Sequence, residues 1–273
     1  MKPDGRIAAA IEDLGRLGRE RPALLPASKI LEKALIAVHA DAEPAPPPID
    51  PTAVERAGRA GQPFFRVEPP DLDPGRLRER ARRLSKALAK DLPGARDFAR
   101  RAELDRWIGA FLDGRRPEID GGPLGLDPDQ ASSLFRLVMI PSLALRADRI
   151  DTLRPEGAWA GRGCPDCGHD NPVLAESRGL EARRFLRCGD CSGEWPIARM
   201  GCPSCGEADP QLGRYAFEEG DEARRRLSAC DACGWRVVVV STLGRLSAPA
   251  LLVAELASLP LRLAELPPVD LRR

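Results

Sequence analysis

The first 158 residues alternate between helical stripes of hydrophobic residues and proline-rich breaks, with no cysteine among them. Ile7, Ile11, Leu14 and Leu17 recur at the spacing that aligns side chains on one helix face. Ile30, Leu31, Ala34, Leu35 and Val38 do so again behind a predicted Ser28 cap. The segment Glu43 to Pro51 (EPAPPPIDP) cannot continue a helix, since proline lacks the backbone N–H and fixes φ, and is expected to run extended. Leu77, Ala81, Leu84 and Leu88 mark a stripe among arginines; Phe98, Ala102, Trp107, Ile108 and Phe111 mark another, closed at Gly114. Asp127-Pro128 is the cap and first-turn signature of a helix carrying Leu134, Leu137, Val138 and Leu145, with a kink predicted at Pro141. Such stripes predict core packing in a helical domain and carry no chemistry of their own.

From Trp159 the texture changes to glycine, cysteine and short alternating runs. Val237 to Val240, next to Trp235, predicts a strand. A last helix is expected from Ser247-Ala248-Pro249, carrying Leu252, Leu256 and Leu259 before Pro260. The implied class is α+β: a mainly helical N-terminal domain (1–158), two tandem zinc-ribbon-like four-cysteine modules (159–199 and 200–246), and a C-terminal helix and tail (247–273).

The two modules are an internal repeat. The first runs from Cys164-Pro165-Asp166-Cys167-Gly168 through Arg184-Phe185-Leu186-Arg187 to Cys188-Gly189-Asp190-Cys191, with Trp195 beyond. The second runs from Cys202-Pro203-Ser204-Cys205-Gly206 through Arg225-Arg226-Leu227 to Cys230-Asp231-Ala232-Cys233, then Gly234-Trp235. A C-x-x-C turn sets two sulfurs on one edge of a tetrahedral ion, its backbone N–H groups can donate to the sulfurs, and the glycine after the opening knuckle tolerates the tight turn. Two such knuckles roughly 20–24 residues apart match the ribbon arrangement of four-cysteine sites.

The repeat boundary between Cys191 and Cys202 favours one ion per copy: Cys164, Cys167, Cys188 and Cys191 for the first, and Cys202, Cys205, Cys230 and Cys233 for the second. The alternative interleaves Cys164/Cys167 with Cys202/Cys205. His169, directly after the first knuckle, is a candidate substitute ligand. Four thiolates around a divalent ion leave a charge of about −2, which Arg184, Arg187, Arg199 and Arg226 are placed in sequence to offset. Small ribbons bury little apolar surface, so the metal supplies folding free energy on the order of 10 kcal/mol. Spacing alone does not separate zinc from iron, and base rates favour zinc. A thioredoxin-type redox role needs one C-x-x-C at a helix start rather than four at ribbon spacing.

Composition narrows the function classes. The 273 residues carry 42 basic and 41 acidic side chains, a net charge of +1, which predicts no broad electropositive surface. From Trp159 onward 15 basic residues face 16 acidic ones, against a nucleic-acid-binding ribbon, although Arg224, Arg225 and Arg226 form a local basic run. No apolar run is long enough to span a membrane, and the charged N-terminus lacks the apolar core of an export signal, so a cytoplasmic location is expected. There disulfides are uncommon, and eight cysteines all in C-x-x-C pairs point to metal. The two histidines, His39 and His169, lie far apart; no P-loop, nucleophile elbow or dinucleotide fingerprint occurs, and Gly121-Gly122-Pro123 reads as a loop. Closed four-cysteine sites lack the open position that metal catalysis uses, so no enzyme is expected.

The cysteine region resembles the formate dehydrogenase accessory protein (FdhE) family. The resemblance runs through Cys164-Pro-Asp-Cys-Gly, Ala182-Arg-Arg-Phe-Leu-Arg-Cys188, Glu194-Trp195, Arg199 leading into Cys202, the acidic stretch near Glu218, Cys230-Asp-Ala-Cys-Gly234 and Glu255-Leu-Ala-Ser-Leu259. It covers about 100 residues, while the N-terminal half agrees only in helical character and length. The chain departs from the family pattern at Trp235-Arg236-Val237-Val238 and in its ending from Pro267 to Arg273. The resemblance implies two rubredoxin-like modules behind a helical region, each holding one mononuclear iron, with zinc as the alternative occupant. It implies a cytoplasmic, non-enzymatic maturation factor, with a homodimer as the expected assembly, that binds the catalytic subunit of a respiratory formate dehydrogenase before export. That client would contain molybdenum or tungsten, an iron–sulfur cluster and a twin-arginine signal. A nucleic-acid-binding zinc ribbon and a rubredoxin-like electron carrier are the competing readings.

Overall fold

A computed structural model describes residues 4–101, 104–113, 115, 117–119, 122 and 125–264. Among the described residues eight α-helices come first, and their starts are set largely by aspartate caps and prolines. Asp4 caps α1 (Gly5–Glu20), whose Ile7, Ala10, Leu14 and Leu17 are buried. Ser28 does not cap α2: this helix spans Leu25–Val38, with Pro26 in its first turn, and Ser28 is buried inside it. Proline is tolerated where a first-turn N–H needs no partner, so Pro26 sets the start ahead of the serine. The segment from residue 43 to Asp50 takes no helix or strand, whereas Pro51, expected to belong to it, opens α3 (Pro51–Arg59) under an Asp50 cap. A single-turn helix, α4 (Phe64–Val67), buries Phe64 and Phe65.

Asp73 caps α5 (Pro74–Leu88), and Leu77, Ala81, Leu84 and Leu88 form its buried stripe. Arg80 joins that stripe at 1% exposure, donating to the Val138 carbonyl at 2.7 Å and pairing with Glu43 of the segment before α3. The aromatic stripe lies on two helical segments, α6 (Ala95–Arg101) and α7 (Leu104–Leu112); Ala102 and Gly114 lie outside the described residues, as do Gly121 and Pro123. Asp127 and Gln130 form a full capping box on α8 (Pro128–Leu153), which continues as helix through Pro141. Its buried residues face all round, because α2, α3, α5, α6 and α9 pack about it.

The C-terminal half is a six-stranded sheet of order β3-β2-β1-β6-β5-β4. One repeat supplies β1 (Pro172–Arg178), β2 (Arg183–Cys188) and β3 (Glu194–Ile197); the other supplies β4 (Gly213–Ala216), β5 (Arg225–Cys230) and β6 (Arg236–Thr242). Each repeat is an antiparallel meander, and the repeats join where β1 pairs with β6 in parallel. β6 lies inside the sheet with both faces covered, which is why Val237 to Val240 reads as a continuous apolar run. Val237 and Val239 join the main core, while Val238 packs with Leu227 and Leu261.

Among the described residues two helices, rather than one, follow the sheet. α9 (Ala248–Ala257) packs on α1, and Pro260 lies in the first turn of α10 (Leu259–Leu263), so it starts a helix instead of terminating one. Leu252 is buried, Leu256 half-buried and Leu259 exposed. The ending from Pro267 to Arg273 lies outside the described residues. Among the described residues, no helix is long and apolar enough to cross a membrane.

Candidate metal centres

In both repeats the second knuckle begins on the last residue of a strand, Cys188 of β2 and Cys230 of β5, and the first knuckle lies in the segment leading into the meander. The backbone bonds are the same in each copy. The Gly168 N–H donates to the Cys164 carbonyl at 2.9 Å and the Cys164 N–H to the His169 carbonyl at 3.0 Å. In the second copy Gly206 donates to Cys202 at 2.9 Å and Cys202 to Glu207 at 2.7 Å. Gly168 and Gly206 take φ of 83° and 79°, the left-handed region that glycine enters without steric cost. The second knuckle closes with Cys188 N–H to Gly193 O at 2.8 Å, matched by Cys230 N–H to Trp235 O at 2.9 Å.

These turns gather eight sulfurs into two groups, Cys164, Cys167, Cys188 and Cys191, and Cys202, Cys205, Cys230 and Cys233, each within 4.8 Å of one another. The grouping is sequential by repeat and not interleaved. Sulfur separations are 3.5 Å (Cys164–Cys191) and 3.6 Å (Cys167–Cys188) in the first group, 3.7 Å (Cys202–Cys233) and 3.8 Å (Cys205–Cys230) in the second. A tetrahedron with metal–sulfur bonds of about 2.3 Å has edges of about 3.8 Å, whereas a disulfide requires about 2.05 Å. All eight cysteines are free thiols, and each group fits one tetrahedral thiophilic ion.

Burial separates the two sites. The first is enclosed, with its four cysteines between 0 and 2% exposed. Burial pushes the Cys164 and Cys191 thiols well up and Cys167 to about 11, whereas at Cys188 burial is outweighed by hydrogen bonds from the other three cysteines, which draw the thiol well down. Backbone N–H groups of Asp190 and Gly193 reach the Cys188 and Cys191 sulfurs, both at 3.4 Å. In the second site Cys205 and Cys233 are exposed, and a backbone N–H from Trp235 draws Cys233 down to about 7.

The arginines that sequence order placed near the thiolates are mostly engaged elsewhere. Arg187, on β2, is fully buried but pairs with Glu176 of β1 and donates to the carbonyls of Ser192 and Leu246, each at 2.9 Å. Arg184 donates to the Arg199 carbonyl at 3.2 Å, and Arg226 lies over the Tyr215 ring at 5.4 Å. Arg154, just beyond α8, and Arg136, on α8, come toward the first site from the helical half. Burial opposes the charge of Arg154, yet Asp166, Asp151 and Cys164 hold it protonated; for Arg136, Glu255, Asp190 and Cys188 do the same. Arg154 lies ten residues before Cys164 and Arg136 twenty-eight before it, and neither carries a local signal of this role.

His169 is not a ligand in this geometry. Its Nδ1 lies 2.9 Å from Asp190 Oδ2, and its ring meets Phe111 edge-on at 4.7 Å, outside the sulfur cluster. His39 lies at the end of α2 in the helical half; burial, then the neighbouring Arg80, lowers its pKa to about 4.

No family model and no curated protein matches the chain. Among solved structures it is similar to the FdhE protein from Pseudomonas aeruginosa, with a TM-score of 0.63 and 22% identity over 96% of this chain and 91% of that one. From the capped helical bundle to the duplicated cysteine ribbons, the chain has the fold of the FdhE protein.

Proposed function

We propose that the chain is a formate dehydrogenase accessory protein of the FdhE family, acting by binding and not by catalysis. The observation that carries this reading is the extent of the fold likeness, 96% of the chain. The sequence resemblance covers the cysteine region and Glu255 to Leu259 of the last helices, and the fold likeness spans the N-terminal helical half as well. In this reading the protein works in the cytoplasm, binds the catalytic subunit of formate dehydrogenase before export, and supports its assembly. Cys164, Cys167, Cys188 and Cys191 hold one ion and Cys202, Cys205, Cys230 and Cys233 another, with iron as the native metal and zinc able to replace it. The ions brace the ribbons that present the recognition surface, and no step of the role needs them to change oxidation state.

The test is affinity purification of the tagged full-length chain from its own cells. Recovery of the formate dehydrogenase catalytic subunit is the expected result. A deletion strain with normal formate dehydrogenase activity would refute the reading.

A further inference from the structure

The two cysteine clusters are copies in sequence and in backbone hydrogen bonding, yet they sit in opposite surroundings. The first is wedged under the helical half. Backbone N–H groups of Phe64 and Phe65, at the start of α4, donate to the carbonyls of Pro165 and Asp166 inside the knuckle, both at 2.9 Å. Arg154, just past α8, pairs with Asp166, whose side chain is fully buried. Phe111 of α7 covers His169, and the four cysteines belong to the same hydrophobic core as Phe64, Phe65, Trp107 and Phe111. Three separate helical elements therefore contact a loop whose shape is set by four sulfurs.

The second cluster has no such cover among the described residues. Pro203, Ser204, Cys205 and Gly206 of its first knuckle are exposed, as are Ala232, Cys233 and Gly234 of its second. Its own repeat supplies supporting bonds to it: Asp231 N–H to the Leu212 carbonyl at 2.9 Å, and Arg214 to the Asp231 carboxylate at 2.5 Å. A cleft of about 240 Å³, lined by Met200, Cys202, Tyr215, Ser228, Cys230 and Trp235, opens beside it.

On the reading that both clusters hold metal, we infer that they are functionally unequal: the Cys164 cluster holds a structural ion that locks the helical half onto the sheet, and the Cys202 cluster holds an exchangeable ion that soluble chelating or thiol ligands reach directly. Exchange is a ligand substitution. The ion leaves with its charge to the incoming ligand, protons from water take its place on the sulfurs, and no electron is transferred. The first ion is released only after the helical half opens locally, which makes its loss slower by about tenfold or more.

The experiment uses the full-length chain loaded with two equivalents of zinc and challenged with excess EDTA in the presence of iodoacetamide. Released zinc is followed over time and the alkylated cysteines are mapped by mass spectrometry. One equivalent is expected to leave in a fast phase with alkylation confined to Cys202, Cys205, Cys230 and Cys233, and the second in a phase slower by ~10-fold or more. A single phase, or alkylation of Cys164, Cys167, Cys188 or Cys191 as early as the others, would overturn the inference. A Cys205→Ser/Cys233→Ser variant is expected to keep one zinc, its helical circular dichroism and a cooperative melt; loss of both ions or of the helical fold would equally refute it. Binding of fewer than two ions removes the premise and so overturns the inference, while leaving the accessory-protein reading, tested by co-purification, untouched.

Discussion

At Gly193 the backbone passes so close to the first cluster that a Cβ would fall 2.1 Å from Asp166 Oδ2 and 3.2 Å from the Cys191 sulfur. Asp166 cannot retreat freely, because its carboxylate is buried and bound to Arg154. Gly193→Ala is therefore expected to destabilise the protein by about 1–3 kcal/mol, the usual cost of overpacking, and to weaken metal retention at the first site. Gly109, inside α7, meets nothing within 4 Å. Gly109→Ala should stabilise by about 0.5–1 kcal/mol through helix propensity alone. Thermal unfolding of the two variants, with zinc stoichiometry measured alongside, checks both the sign and the contrast. Nothing in the run Cys191-Ser192-Gly193 marks its glycine as the critical one, since the clash is with a carboxylate 27 positions earlier in the chain.

Among the elements, β1 and β2 are tied by an ion pair as well as by their ladder. Arg187 and Glu176 are both fully buried, and Arg187 also donates to the Ser192 carbonyl, where the backbone takes a φ of 64°. Removing one member of a buried pair leaves the other charge short of a partner, and Arg187→Met is expected to cost about 3 kcal/mol or more. Arg178 still holds Glu176, at 2.6 Å, so Arg187→Met/Glu176→Gln should recover part of that loss, and the coupling can be read from urea unfolding of the double-mutant cycle. An arginine beside a cysteine knuckle reads naturally as a counter-charge to the thiolates. The register decides otherwise, because it sets Arg187 on the same sheet face as Glu176, diagonally across the two strands. Helix starts show the complementary case. The Asp-Pro pair that announces α8 also opens α3 at Asp50-Pro51 and α5 at Asp73-Pro74. Its local logic holds at all three places, whereas Ser28 lost its predicted role to the proline two residues before it.

Across the molecule, the repeats do not stand apart from the rest of the chain. The parallel contact between β1 and β6 fuses them into one sheet. The helical half covers one side of it through Ala175, Val237 and Val239, while α9 and α10 cover Leu174, Leu227 and Val238. α9 in turn packs on α1, bringing the two ends of the described chain together, and Arg136 of α8 grips Glu255 of α9 through two bonds of 2.7 and 3.0 Å. A fragment spanning residues 159–246 is therefore expected to expose apolar faces of the sheet and to lose the shielding of Cys164, Cys167, Cys188 and Cys191. Alkylation of that fragment with iodoacetamide should label all eight cysteines at similar rates, where the full chain protects the first four.

Features that depend on neighbours a few residues away were legible from the order of amino acids alone. These are the helical stripes, the Asp127-Pro128 start of α8, the knuckle turns with their glycines, and the grouping of cysteines by repeat, because a C-x-x-C turn and a capped helix close on their own backbone. The same order carried the resemblance in the cysteine region that the fold later extended to the helical half. Which copy is enclosed and which faces solvent was settled by packing in three dimensions, since the two loops share their turns and differ mainly in what lies on them, with Asp166, the partner of Arg154, replaced by Ser204 in the second copy. Packing likewise brought Arg154 and Arg136 of the helical half toward the first cluster, because electrostatic partners are set by distance through space and by burial, not by order along the chain.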